Sequence, residues 1–166
     1  MKPVQTFDMG KDSVFRSYDP DASPEMFGLF SSFVELWQTK RTGRRLPAWK
    51  DFSFDDLRPW IGKMALVDLD PGVYEGVYRL YGGNWVTVAN IDLTKKRLSE
   101  DMPKVVYGRI KPYFESLFRD GLIGHRVTWS SWRHREFINV EILDLLLSDN
   151  GTDVTQSLSV LIILND

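Results

Sequence analysis

The side chains that could do chemistry in this sequence are few, because it contains two histidines and no cysteine. Without cysteine the chain forms no disulfide, thiolate zinc site, iron–sulfur cluster or cysteinyl-flavin adduct, and it has no thiol nucleophile. The sequence also lacks a Ser-His-Asp order, an HExxH pattern, a Walker loop and a GxGxxG loop, which are signatures of catalytic and nucleotide sites. We therefore predict a protein that is not an enzyme and that holds neither a metal ion nor a cofactor.

The two histidines differ in their surroundings. His125 alternates with Ile123, Val127 and Trp129 in a segment that looks like a strand, and this spacing predicts that it points toward the interior. We interpret it as a packed, hydrogen-bonded histidine of the core or its rim, with contact to a ligand as the alternative. His134 lies between two arginines in a predicted turn, so we expect it to be solvated.

Aromatic residues in the second half of the chain are candidates for lining a ligand pocket, and core packing is the alternative explanation for them. Small-molecule sites are mostly hydrophobic and carry a few placed polar groups. Because a strand buries alternate residues, we expect Tyr78 and Leu80 to share one face of the second predicted strand. We expect His125, Val127 and Trp129 to share one face of the third. We predict a cavity between the sheet and the helices, around Trp85, whose indole N–H can donate a hydrogen bond. The candidate lining residues are Tyr78, Leu80, Trp85, His125, Val127 and Trp129.

The charge balance gives no reason to expect a nucleic-acid partner. Lys and Arg number 21 against 23 Asp and Glu, which leaves a formal net charge of −2, whereas dedicated nucleic-acid binders are usually basic. A basic cluster runs from Lys40 to Arg45 and could hold a phosphate, as in a nucleotide-responsive adaptor. Since cations are favoured at the C-terminus of a helix, we prefer that simpler explanation for the cluster.

The first elements are predicted from capping and amphipathic spacing. We expect residues 1–22 to form a flexible arm and residues 23–166 to form one domain. Ser23 as N-cap and Pro24 at the first helical position predict a helix that reaches Gly43. Its apolar residues cover about half of the circumference, more than the roughly 100° stripe that one contact surface buries. We therefore predict a homodimer whose interface contains Phe27, Phe30, Val34 and Trp37.

The remaining elements follow the order two strands, helices, three strands. A capping pattern at Ser53 predicts a short helix, and two β-like segments joined by Asp70-Pro71-Gly72 predict a hairpin. The last third alternates in strand fashion and contains the turn Ser148-Asp149-Asn150-Gly151. No stretch approaches the roughly 20 apolar residues of a membrane span, and no apolar region follows Lys2 as in a secretory signal. We predict a cytoplasmic protein with no membrane partner.

Several short motifs, taken in their order and spacing, resemble a bacterial family of stand-alone PAS-like domains over residues 25–164. The motifs are Arg45-Leu46-Pro47, Asp51, Asp56-Leu57-Arg58-Pro59, Tyr78-Arg79-Leu80, Asp92-Leu93-Thr94 and Leu147-Ser148-Asp149-Asn150-Gly151. The resemblance implies a five-stranded antiparallel sheet with helices across one face, preceded by an N-terminal helix. PAS domains either bind a small ligand between helices and sheet or act as dimerisation and relay modules.

These observations predict a non-enzymatic sensory or regulatory module that binds a small ligand or a signalling protein. The alternative is a small cone-like α+β enzyme or carrier that encloses a hydrophobic substrate. A pair of acid and base side chains facing the cavity would favour the alternative, and His125 is the one such residue that the sequence suggests.

Overall fold

The computed structural model describes residues 2–101, 103–130 and 137–164. Within this part of the chain, one antiparallel sheet of seven strands has the order β1-β2-β5-β6-β7-β3-β4. The strands are β1 (Gln5–Asp8), β2 (Val14–Tyr18), β3 (Met64–Leu69), β4 (Gly76–Tyr81), β5 (Ile123–Trp129), β6 (Asn139–Leu147) and β7 (Gln156–Ile163). The α+β class is confirmed, but the prediction of a five-stranded sheet is wrong because the N-terminal segment adds two strands.

The helices lie before β3 and between β4 and β5, in the predicted order. The α-helices are α1 (Ser31–Lys40), α2 (Phe54–Leu57), α3 (Gly83–Ala89), α4 (Leu98–Asp101) and α5 (Lys104–Asp120). Three 3₁₀ segments accompany them, at Pro24–Phe30, Trp49–Asp51 and Arg58–Lys63. The capping pattern predicted at Ser53 is present, since its hydroxyl accepts from the Asp56 amide at 3.1 Å and the Asp56 carboxylate accepts from the Ser53 amide at 2.9 Å.

The prediction that residues 1–22 form a flexible arm is wrong. Strands β1 and β2 form an antiparallel hairpin, and β2 pairs with β5 along its whole length. Phe15 on β2 is buried against the core. Strand β2 alternates half-buried and buried residues, a period-2 pattern that is short enough to escape notice beside the polar residues around it.

The first predicted helix is divided into two parts. Residues Pro24–Phe30 form the 3₁₀ segment, and Gly28 inside it has φ 53° and ψ −116°, a conformation outside the helical region that favours glycine. Helix α1 begins only after this break. The two parts differ in direction and twist, so the apolar residues of this segment do not lie on one continuous helix. The wide apolar surface predicted for a single helix is therefore absent.

The four residues predicted for the dimer interface are buried within the chain, with at most 2% of each exposed. The rings of Phe27 and Phe30 contact His125 on β5, at centroid distances of 6.5 and 6.1 Å. The Trp37 indole N–H donates to the Leu146 carbonyl at 2.9 Å, and Val34 is fully buried. The interface assigned to these residues is therefore wrong, and the homodimer stays a prediction without an assigned surface.

Helices cover both faces of the sheet, so the prediction of helices on one face is wrong. His125 and Arg126 are neighbours on β5 and point to opposite faces. His125 meets Phe27 and Phe30 of the 3₁₀ segment, whereas the Arg126 guanidinium lies 5.3 Å from the ring centroid of Phe114 on α5. The physical reason is visible in β6, where Ile142 through Leu147 are all buried, since a strand buried on both faces reads as a continuous apolar run.

Replacing Phe15 by Ala tests whether the N-terminal hairpin belongs to the core. We expect a loss of about 3–5 kcal/mol in the free energy of unfolding, because a buried phenyl ring is removed. Urea unfolding followed by circular dichroism measures the change, and Phe54→Ala is the control because that ring is 67% exposed. Equal stabilities for the two variants would show that β2 does not contribute to the core.

Candidate functional site

A cavity of about 70 Å³ lies between the sheet and helices α3 and α5. Strands β2 to β7 contribute its floor, and the helices contribute its roof. Its aromatic lining residues are Phe15, Tyr74, Tyr78, Trp85 and Trp129. Its polar lining residues are Arg126, Thr128, Ser130 and Ser159. The cavity therefore has apolar walls and a few polar groups, the composition typical of small-molecule sites.

A buried ion pair lies beneath the cavity. The Arg126 guanidinium donates from Nε to Asp144 Oδ2 and from Nη2 to Asp144 Oδ1, both at 2.8 Å. Asp144 is fully buried and Arg126 is 7% exposed. The hydroxyl of Tyr113 on α5 donates to Oδ2 at 2.8 Å, and the hydroxyl of Ser159 on β7 donates to Oδ1 at 2.6 Å. Both carboxylate oxygens thus have two donors, as burial of a charge requires.

The approach of α5 to the ion pair depends on a glycine in β5. Gly124 is the register partner of Asp144. A Cβ at this position would lie 2.0 Å from the Tyr113 hydroxyl oxygen and 2.8 Å from Leu117 Cδ1. The bond from Tyr113 to Asp144 therefore requires a residue without a side chain at position 124.

Burial and charge keep the donors of this network protonated. Burial is the largest single influence and lowers the pKa of Arg126, but the charge and hydrogen bonds of Asp144, together with Tyr113 and Tyr74, outweigh it and raise that pKa above the ordinary arginine value. Burial raises the pKa of Tyr113 well above its usual range, and the charge of Asp144 acts in the same direction. Arg126 is therefore a permanent cation, and Tyr113 is a permanent donor at neutral pH.

Two donors at the cavity have no acceptor in the described part of the chain. Arg126 uses Nε and Nη2 for Asp144, while its Nη1 makes no hydrogen bond there. Tyr74 is 5% exposed and stacks on Phe114 at 3.6 Å between ring centroids, but its hydroxyl has no such partner either. Burial raises the pKa of Tyr74 well above its usual range, so the hydroxyl remains protonated.

Three of the six predicted lining residues lie at the cavity: Tyr78, Trp85 and Trp129. The indole N–H of Trp85 donates to the Lys63 carbonyl at 2.8 Å, so it does not serve a ligand as predicted. Trp129 is 37% exposed and lies at the end of β5, where the cavity meets the surface.

The other three residues were placed on the wrong face. A β-bulge between β3 and β4 makes Tyr78 the partner of Val67 and Leu80 the partner of Leu66. Neighbouring residues of β3 point to opposite faces, so the inserted residue at position 79 separates Tyr78 from Leu80. The assignment of Leu80 to the cavity is therefore wrong.

On β5 the predicted alternation of side chains is present, but the prediction of which face meets the cavity is wrong. The strand residues that line the cavity are Arg126 and Thr128, together with Trp129 at the strand end. His125 and Val127 point to the opposite face, where His125 Nε2 lies 2.6 Å from Glu141 Oε1. The interpretation of His125 as a packed, hydrogen-bonded histidine is confirmed, and its assignment to the ligand site is wrong, as is that of Val127. His134 lies outside the described residues.

Residues that sequence reasoning missed form the polar centre of the site. Arg126, Asp144 and Ser159 each lie within a segment predicted as a strand, where Asp144 and Ser159 interrupt apolar stretches of the sequence. Since a polar group in a buried strand needs a partner, three such groups on neighbouring strands could have been paired from the sequence. Tyr74 carries no comparable signal, because it lies in the turn before β4.

The basic cluster near α1 is engaged in internal contacts. Arg44 donates to the carbonyl of Lys40 at 2.9 Å and to the Asp51 carboxylate at 2.5 Å. Arg45 donates to the Phe118 and Arg119 carbonyls at 3.4 and 3.3 Å. These contacts agree with cations placed at a helix C-terminus and leave no support for the nucleotide-responsive adaptor.

Within the described ranges, no three His, Asp or Glu side chains are grouped as metal ligands, and none of the helices there is long and apolar enough to span a bilayer. Comparison with protein-family models, with curated proteins and with solved structures finds no match for this chain. The resemblance to PAS-like domains therefore stays a prediction from the residues.

Replacing Gly124 by Ala tests the dependence of the network on this position. The added methyl group displaces the Tyr113 hydroxyl from Asp144, and we expect the free energy of unfolding to fall by about 1–3 kcal/mol. The matched control is Gly108→Ala in α5, where a Cβ meets nothing within 4 Å; this change should stabilise by roughly 0.5–1 kcal/mol. Urea unfolding measures both, and similar effects of the two substitutions would contradict the proposed packing.

Alkaline titration tests the environment of the buried phenols. The chain has six tyrosines, and Tyr74 and Tyr113 should not ionise while the protein is folded. Because both pKa values are raised in the folded state and are near 10 in the unfolded chain, these groups make stability fall as pH rises above about 10. Absorbance at 295 nm and near-UV circular dichroism, recorded together, should show the last phenols ionising only on unfolding. Ionisation of all six near pH 10 in folded protein would contradict this.

Proposed function

We propose that this chain is a non-enzymatic sensory or regulatory module of the PAS-like type whose input is a small molecule bound in the cavity. The observation that carries the proposal is the combination of apolar walls with two donors, Arg126 Nη1 and the Tyr74 hydroxyl, that belong to buried residues and have no partner in the described chain. A ligand, or a few ordered waters that a ligand displaces, would supply the missing acceptors.

The topology supports the PAS-like part of the proposal. Strands β3 to β7 form five contiguous members of the antiparallel sheet. Helices α3, α4 and α5 connect β4 to β5, and the segment with α1 precedes β3. The N-terminal hairpin extends this arrangement at the β5 edge, and the 3₁₀ segment Pro24–Phe30 packs on the face opposite to the cavity.

The chemistry of the lining favours binding over catalysis. None of the described residues that line the cavity is His, Asp or Glu. Asp144, the nearest carboxylate, is occupied by four hydrogen bonds. The cone-like enzyme would need an acid and base pair facing the cavity, and this lining offers an arginine and tyrosines in its place.

Native mass spectrometry of freshly purified protein, compared with a variant whose cavity is filled, tests ligand binding. Val140 lines the cavity and is 2% exposed. The larger side chain of Val140→Phe should fill the cavity, so the mass spectrum of this variant should no longer show a bound molecule. The control is Val127→Phe, the same change on the opposite face of the neighbouring strand, and it should keep the ligand. Circular dichroism establishes that both variants are folded.

Retention of the same molecule by folded Val140→Phe would contradict the cavity as its site. Absence of any retained molecule, together with absence of binding to a panel of small organic molecules, would overturn the proposed function and leave a protein-contact module.

A further inference from the structure

Building on the proposed function, we infer that the ligand is an apolar monocarboxylate whose carboxylate accepts hydrogen bonds from Arg126 and Tyr74, while its apolar body lies in a cleft that adjoins the cavity. The residues Arg126 and Tyr74 are each more than nine-tenths buried and line the same cavity. A carboxylate offers two acceptor oxygens, one for each donor, and an arginine–carboxylate contact is among the stronger hydrogen bonds in proteins.

The size of the cavity limits what enters it. Its volume of about 70 Å³ is roughly half that of the engineered cavity of about 150 Å³ that holds benzene. The space therefore accommodates a head group of a few atoms, and the rest of a larger ligand must lie outside it.

The adjoining cleft provides that outer space. Its volume is about 980 Å³, and it is lined by residues of the turn between β1 and β2, of α5 and of the end of β5. Six lining residues belong to both cavity and cleft: Phe15, Val106, Ile110, Thr128, Trp129 and Ser130. Four of these six are apolar or aromatic, so a ligand that extends from the cavity into the cleft meets an apolar wall.

The charge of the cleft favours an anion. Its lining contains Lys11 and Arg109 against Asp12, which leaves one excess positive charge at the entrance. Asp144 already balances the charge of Arg126, so these surface cations supply the attraction that raises the local concentration of an anionic ligand. A neutral amide could occupy the same hydrogen-bond positions, but it would gain nothing from this charge.

Isothermal titration of the full chain separates these possibilities. The probes are straight-chain monocarboxylates from acetate to decanoate and benzoate, each measured beside its primary amide. We expect at least one acid to bind at least tenfold more tightly than its amide. Tyr74→Phe keeps the stacked ring and should weaken that acid about fivefold or more, so the test does not depend on an Arg126 variant that fails to fold.

The contribution of the surface cations to acid binding is tested at Arg109, with Arg119 as the matched control. Arg109→Gln at the cleft should weaken the acid two- to threefold at low salt and leave the amide unchanged. Arg119→Gln, at the other end of α5 and outside the cleft lining, should change neither.

The outcomes distinguish the inference from the function on which it rests. If amides bind as tightly as acids, or if Tyr74→Phe binds the acid normally, the carboxylate assignment is overturned and ligand binding stands. The same conclusion follows if native mass spectrometry finds a retained neutral molecule. If no acid or amide binds and no mass is retained, both proposals fail together.

Discussion

The buried pair of Arg126 and Asp144 is the interaction on which the arrangement of this side of the sheet depends. It joins β5 to β6, Ser159 adds β7, and Tyr113 adds α5. Removing one partner from such a pair is strongly destabilising, by about 3–5 kcal/mol in measured cases, because the other charge stays buried. The four elements must therefore meet at one point, and that requirement fixes how closely α5 approaches the sheet.

The same pair explains why a cavity with a polar centre persists in an apolar layer. Nε and Nη2 of Arg126 bind one carboxylate in a two-pronged geometry, and this orientation leaves Nη1 without a partner in the described chain. The rings of Phe15 and Phe114 lie 5.6 and 5.3 Å from the guanidinium carbon. These contacts stabilise the cation but cannot accept a hydrogen bond in the plane of the guanidinium. Stability of the pair and availability of a donor thus come from one geometry.

The sequence patterns predicted the positions of the strands and helices better than they predicted which face each strand turns toward the cavity. Strands β3 to β7 follow from alternation and turn residues, because these signals are local. Alternation places His125 and Val127 together, but it does not decide which face meets α5, since both faces of this sheet are buried. The bulge opposite β3 reverses the relation between Tyr78 and Leu80, and a bulge depends on pairing with another strand. The hairpin β1–β2 was missed because its burial depends on β5, more than a hundred residues later in the chain.

The two faces of the sheet have different consequences for function. On the face of the 3₁₀ segment Pro24–Phe30, His125 is paired with Glu141 and contacts Phe27 and Phe30, so its polar group is satisfied by the protein itself. On the α5 face, Arg126 retains a donor beside a cavity, and the hairpin contributes both a cavity wall through Phe15 and a rim through the turn at residues 9–13. A molecule bound there would contact β2, β5 and α5 at once. Because β2 joins the sheet through β5 and contributes Phe15 to the cavity wall, a molecule bound in the cavity would act most directly on the packing of the N-terminal hairpin.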